Sequence, residues 1–218
     1  MLPFSLTLDS KQPLKVLCIG AHSDDIEIGM GGTILQWLES GRNLHFTWVI
    51  FSAAKSEREK EARRSAERFL QGAADYEVIV KGFRDGFYPY HGANVKDEFE
   101  ALKKIVSPDL IFTHYRDDRH QDHRTLSDLT WNTWRNHMIL EYEIPKYDGD
   151  LGQPNFFVPL EPGIASKKSH LICDLFQTQA NKAWLTEDTF MGLMRLRGVE
   201  CAEKFAEAFY CRKLVHKF

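Results

Sequence analysis

Residues 14–32 read LKVLCIGAHSDDIEIGMGG, and the change of character at Gly20 decides the fold. Up to Gly20 the run is almost continuously apolar, the pattern of a strand buried on both faces. Such a strand belongs inside a parallel sheet whose two faces are covered by helices. Directly after it come His22, Ser23, Asp24, Asp25 and Glu27, and then three closely spaced glycines, Gly29, Gly31 and Gly32. Thr33 stands where a helix cap is expected, with Ile34, Leu35 and Leu38 keeping helical spacing before Gly41.

Working outward, further strands are predicted at 44–51 (LHFTWVIF), 76–80 and 110–114 (LIFTH). Helices at 55–70 and 95–106 separate them, the second carried by Val95, Phe99, Leu102, Ile105 and Val106. Strands alternating with helices predict an α/β fold: one Rossmann-like domain over 1–218, with a mostly parallel sheet flanked by helices. Beyond residue 123 the pattern predicts a helix over 124–138, loops and short strands across the proline-bearing 139–163, and helices over 166–183 and 190–211.

The composition supports one sizeable core, since 43% of the 218 residues are hydrophobic. Lys plus Arg number 28 against 31 Asp plus Glu, for a net charge of −3, which speaks against nucleic acid as a partner. Cys18, Cys173, Cys201 and Cys211 lie far apart in a chain that needs no disulfide staples. A reduced, cytoplasmic setting is therefore expected, with no leader peptide and no transmembrane anchor. The aromatic-rich C-terminal half suits either core or an interface, so an oligomer is compatible with it.

In doubly wound α/β proteins, ligands bind outside the carboxyl ends of the strands. Two unusual clusters stand there: His22 to Glu27 after the first strand, and Asp117 to His123 (DDRHQDH) after the fourth. The glycines do not make a dinucleotide loop, because G-x-G-x-x-G must follow the strand at once and here Gly20 is followed by AHSDDIEI. They read instead as places of close backbone packing. A phosphate loop and a serine-hydrolase elbow are also missing from the sequence.

A catalytic zinc takes three protein ligands, commonly His or carboxylate, and leaves a position for water. If the two loops lie side by side, His22, Asp25 and His123 form such a site. Zinc or another divalent ion such as Fe2+ would suit a His-Asp-His set. Asp24 then stays free to take a proton from the water, and His120 offers a second proton-transfer or oxyanion-stabilising group. Asp122 suits a supporting role, orienting a histidine from behind. Acidic residues at a helix start also favour its dipole without any catalytic role.

At this point the residues resemble a known family. AHSDDIEIGMGGT (21–33) is similar to the AHPDDEEIGCGGT-type signature of the PIG-L/LmbE-like zinc-dependent N-acetylglucosaminyl deacetylases. RDDRHQDHR (116–124) resembles that family's N-D-x-H-P-D-H-R, and SEREKEARRSAERFL (56–70) its R-x-x-E-x-x-x-A helix. GFRDGF (82–87) resembles its D-G loop, and RLRGVECAEKFAEAF (195–209) its RG followed by AEAF. Ser23 and Gln121 stand where the signatures carry proline, and Ile26 where they carry an acidic or small residue; none of these is a proposed ligand.

The resemblance implies His22, Asp25 and His123 as zinc ligands, Asp24 as general base and His120 as the group that stabilises or protonates the tetrahedral intermediate. Arg58 and Asp85 fall where the family places substrate-contacting polar groups. Read without the resemblance, Arg58 suits a solvated helix face and Asp85-Gly86 a turn. The implied reaction is hydrolysis of the acetamide of a small-molecule amino-sugar substrate, a GlcNAc-type glycoside, sugar nucleotide or glycoconjugate intermediate, with release of acetate. Rival readings are an amidase acting on a non-sugar N-acyl metabolite and a sugar-binding module without turnover. Phe83, Phe87, Tyr88, Tyr90 and Tyr115 are expected near the cavity, and 139–165, which matches no motif, is expected to shape substrate choice.

Overall fold

The computed structural model describes residues 12–215. Its β1 (Leu14–Gly20), β2 (Leu44–Ile50), β3 (Asp75–Val80), β4 (Leu110–His114) and β5 (Met138–Tyr142) are mutually parallel. β6 (Phe156–Leu160) and β7 (Phe205–Cys211) complete a seven-stranded sheet of order β3-β2-β1-β4-β5-β7-β6, with β7 antiparallel to both its neighbours. The chain builds outward from β1 to β3 and then crosses back to β4 on the other side of β1. The order of strands thus reverses between β1 and β4, and their carboxyl ends diverge into a crevice there.

The two-residue period of each strand sorts its side chains between two cores. Val16, Cys18, Phe46, Trp48 and Phe112 face the layer containing α1 (Asp25–Glu39), α2 (Glu57–Phe69), α5 (Pro162–Leu175) and α6 (Glu187–Glu200). Leu17, Ile19, Val49, Phe51 and Ile111 face α3 (Gly92–Ile105) and α4 (Gln121–Thr133). Among the described residues, no helix is long and apolar enough to cross a membrane, and all four cysteines are free.

Three expectations about elements need correction. The first helix begins at Asp25, before the glycines, and Thr33 lies within it. Glycine is a poor helix former, but here close packing overrides propensity. A Cβ on Gly29 would lie 2.2 Å from Tyr142 Cδ2, and one on Gly31 2.6 Å from Phe69 Cε1. The reading of these glycines as sites of close packing is borne out.

The second correction concerns 190–211, where α6 stops at Glu200 and FAEAFYC becomes strand β7. Its Ala and Glu residues carry a local helical preference, which pairing between β5 and β6 outweighs. Third, the boundaries of two other helices differ. The helix expected over 124–138 runs instead over Gln121–Thr133, and Met138 already belongs to β5; the helix expected over 166–183 ends at Leu175.

Candidate active site

Each site residue owes its place to the end of a sheet element. β1 delivers His22 and Asp24 on the turn before α1 and Asp25 as the first residue of that helix. β4 delivers the loop of Asp118 and His120 and then α4, with His123 in its first turn. Arg58 arrives on the first turn of α2, after a turn in which Ala53 (φ 85°) and Lys55 (φ 64°) take left-handed conformations. L-residues pay a strain cost there, and such strain concentrates at functional turns.

Two imidazole nitrogens face one another, His22 Nδ1 and His123 Nε2 being 3.2 Å apart. The Asp25 carboxylate closes the triangle, with Oδ2 3.4 Å from His22 Nδ1 and Oδ1 3.5 Å from His123 Nε2. Four-coordinate zinc with bonds of roughly 2.0–2.1 Å sets its ligand atoms roughly 3.3–3.4 Å apart, so this spacing fits a divalent ion. The electrostatics fit at two of the three groups. At His22 burial works against the charge, but Asp25, Asp122 and Asp85 outweigh it and hold the pKa well above its ordinary value, so this ring would have to give up a proton as an ion binds. Burial, reinforced by neighbouring His114, lowers the His123 pKa to about 3, leaving the neutral imidazole that a ligand must be. Burial works against ionisation of Asp25, but His123, His114 and His22 outweigh it and hold its carboxyl well below the usual range. His22 Nε2, buried and without a hydrogen bond, lies 3.0 Å from Asp85 Oδ1 and 3.5 Å from Asp122 Oδ2.

Asp24 is buried beside this triangle, its Oδ1 3.3 Å from Arg58 Nη2. Burial and the Asp25 charge push its pKa up to about 6, against the pull of Arg58 and His22. Arg58 also donates to Ser23 Oγ at 3.1 Å and reaches Asp85 at 3.7 Å, so it belongs to the cavity and not to a solvated face. His120 is half-buried and its ring meets that of His22 edge-on at 4.8 Å. Burial, then the neighbouring His22, keeps its pKa below the ordinary value.

The supporting set differs in part from expectation. Asp122 accepts from the backbone N–H groups of Gly86 (2.6 Å) and Tyr88 (3.1 Å), which holds the Asp85 loop, and its Oδ2 also lies 3.5 Å from His22 Nε2. Orientation of His123 falls to Asp118, whose Oδ2 lies 2.9 Å from His123 Nδ1. His114, fully buried, accepts from the Ala21 N–H at 3.0 Å and stacks on His123 with ring centroids 3.9 Å apart. Both residues were missed as site residues. Asp118 is one of three acids in DDRHQDH, and spacing along a loop does not say which one faces the histidine.

The cavity above these residues has a volume of about 210 Å³, smaller than the roughly 300–1,000 Å³ of most small-molecule sites. Its far wall comes from Ile144 to Asp148 with Gln179 and Trp184, so part of the motif-free stretch does shape the cavity. None of the five aromatics expected there lines it. Tyr88 is buried with its hydroxyl donating to Ala21 O at 2.7 Å, Phe83 stacks with Phe51, and Tyr115 stacks on Tyr210. Tyr147 and Trp184 supply the aromatic surface instead.

The family model described as PIG-L, GlcNAc-PI de-N-acetylase, matches residues 17–134, a span that holds the histidines and acids of the site and Arg58 but not the far wall. The chain is 26% identical over 145 residues to the uncharacterized deacetylase YaiS of Escherichia coli strain K12, covering 60% of this chain and 74% of that protein. Its fold is similar to that of the conserved protein TT1542 from Thermus thermophilus, with a TM-score of 0.71, 19% identity and coverage of 94% and 97% of the two chains. It is also similar to N,N'-diacetylchitobiose deacetylase from Pyrococcus horikoshii, with a TM-score of 0.67, 24% identity and coverage of 92% and 84%.

Proposed function

The chain belongs to the PIG-L family of GlcNAc-PI de-N-acetylases, and from that premise we propose that it is a metal-dependent hydrolase that removes the N-acetyl group of an N-acetylated amino sugar, releasing acetate and a free amine. The observation that carries this reading is the convergence of His22, Asp25 and His123 at the floor of the cavity, with Asp24 beside them. These three residues would hold the ion, zinc or another divalent metal such as Fe2+. Once bound, the ion supplies a Lewis acid for the acetamide carbonyl and acidifies water in the cavity.

The chain's own groups carry the proton transfers. Asp24 accepts a proton from the attacking water, because it is the acid beside the triangle that is not engaged in holding the ion. A carboxyl raised to about 6 is a better base than a surface aspartate and still ionises near neutral pH. Arg58 keeps it oriented, and the same carboxyl returns the proton to the leaving nitrogen. His120 Nδ1 accepts from the Asp122 N–H at 3.3 Å, which leaves Nε2–H as the ring's donor. That donor stabilises the developing oxyanion. Arg58 and Asp85, lining the same cavity, bind polar groups of the sugar.

The test is acetate release by the purified protein from a panel of N-acetylated amino sugars and simple glycosides, each with added zinc and with chelator. Chelator-sensitive release from the amino sugars is the expected result. Release that persists in chelator would remove the metal from the reading, and the absence of release from every sugar acetamide would remove the substrate class.

A further inference from the structure

The far wall of the cavity includes Ile144 to Asp148, beyond the 17–134 span that the family model matches. Directly after it the chain turns. Gly149 takes a left-handed conformation (φ 61°), which leaves Asp148 exposed and returns Asp150 to the interior, its side chain only 6% exposed. There Asp150 faces Lys146 across one turn of chain, with Oδ2 2.6 Å and Oδ1 2.8 Å from Lys146 Nζ. Asp118 Oδ2 reaches the same Nζ at 2.9 Å. One ammonium therefore lies between two buried carboxylates, one from the wall and one from the loop after β4.

These carboxylates also hold two consecutive backbone N–H groups of that loop. Asp150 Oδ2 accepts from Arg119 N–H at 2.6 Å, and Asp118 Oδ1 accepts from His120 N–H at 2.8 Å. His120 is the N-cap of α4, so both N–H groups lie ahead of the helix ladder and find no acceptor inside it. Bonds to ionised carboxylates are stronger and shorter than neutral ones, and they fix direction as well as distance. Asp150 thus pins the peptide one residue ahead of the His120 ring, from a place 31 positions further along the chain than Arg119.

We infer that Asp150, braced by Lys146, is a positioning residue for His120: it fixes the backbone on which the imidazole stands and so the place of that ring in the cavity. The wall that shapes the cavity and the loop that carries His120 are thereby one unit. The inference rests on the deacetylase reading, in which His120 stabilises the oxyanion.

The experiment is a double-mutant cycle on metal-loaded protein, read as acetate release from the methyl glycoside of N-acetylglucosamine. His120→Ala should lower kcat by about 10²–10³-fold, the usual cost of an oxyanion donor. Asp150→Ala should lower kcat by about 10–10²-fold, as a displacement of up to about 1 Å would, with KM nearly unchanged. In the His120→Ala background the same Asp150→Ala change should leave kcat where it is, because no ring remains to be placed. Asp150→Asn should recover most of the loss, since its amide oxygen still accepts from Arg119 N–H. Apart from turnover, amide exchange at Arg119 in metal-free protein should quicken in Asp150→Ala and stay close to wild type in Asp150→Asn. The inference is overturned, with the deacetylase reading left standing, if the two losses multiply, if Asp150→Ala raises KM and spares kcat, if Asp150→Asn is as damaging as Asp150→Ala, or if exchange at Arg119 does not move. Wild-type kcat in His120→Ala would remove that residue's role from the deacetylase reading, and acetate from no amino sugar would remove the reading itself; either result takes this inference with it.

Discussion

Helix α1 carries buried charges at both ends of its glycine run, and the two groups are treated differently. Behind the helix, Glu207 receives four hydrogen bonds, from Gly32 N–H (2.7 Å), Thr33 N–H (2.6 Å), Thr33 Oγ1 (2.6 Å) and Lys168 Nζ (2.6 Å). Lys168 also donates to the Ile28 carbonyl at 2.6 Å. Beside them Arg197 grips Glu143 through two bonds of 2.7 Å. Every charge there has its opposite. At the N-terminus of the same helix, Asp24, Asp25 and Glu27 crowd together, and Glu27 keeps both oxygens without a hydrogen bond while burial drives its pKa well up. Buried charges that have opposite partners become costly to unpair, whereas carboxyls crowded at a cleft have their protonation shifted, which is what a site for chemistry needs.

The largest expected effect breaks this comparison at its reactive end. Asp24→Asn should lower kcat for acetate release by about 10²–10⁴-fold, the usual range for losing a general base, with metal content and Tm retained. An active variant would return Asp24 to the structural class.

The second prediction concerns the paired end. Glu207→Ala should cost about 3–5 kcal/mol in denaturant unfolding, because it strands Lys168 and two backbone N–H groups of α1. Lys168→Met should cost less, since Glu207 keeps its three other donors. Equal costs would show that the charge pair alone, and not the helix backbone it serves, sets the stability.

The smallest effect lies where the two regimes meet. Asp118 orients His123 and also holds Lys146 at 2.9 Å. Asp118→Asn should weaken metal binding by about 10–100-fold in a chelator competition, the usual cost of losing a ligand's supporting carboxylate. Unchanged affinity would mean that packing against His114 alone suffices to aim the ring.

Much of the fold was legible because it rests on local pattern. β1 to β4 are short apolar runs punctuated by glycine and proline, and their alternation with helices implies a parallel sheet. β7 was read as helix because FAEAFYC carries helix formers, and only its partners, residues 138–142 and 156–160, make it a strand. The first turn of α1 was missed because the glycines argue against helix until Tyr142 and Phe69 are seen packed against them. The site divided along the same line. His22, Asp24, Asp25, His120 and His123 stood out by type and by position after strands. Asp118, His114 and Lys146 did not, because nothing in their local sequence distinguishes a residue aimed at the centre from one aimed away.

The sequence by itself therefore determined the parallel strands β1 to β4 with their helices and the reactive groups that follow β1 and β4, all of which follow from runs of a few residues. Tertiary structure alone decided which groups meet. His22 and His123 are 101 positions apart in sequence yet 3.2 Å apart in space, and Lys146 reaches Asp118 across 28 positions. Those distances are set by the twist of the sheet, the crossover to β4 and the close packing of α1, none of which is a property of any short segment.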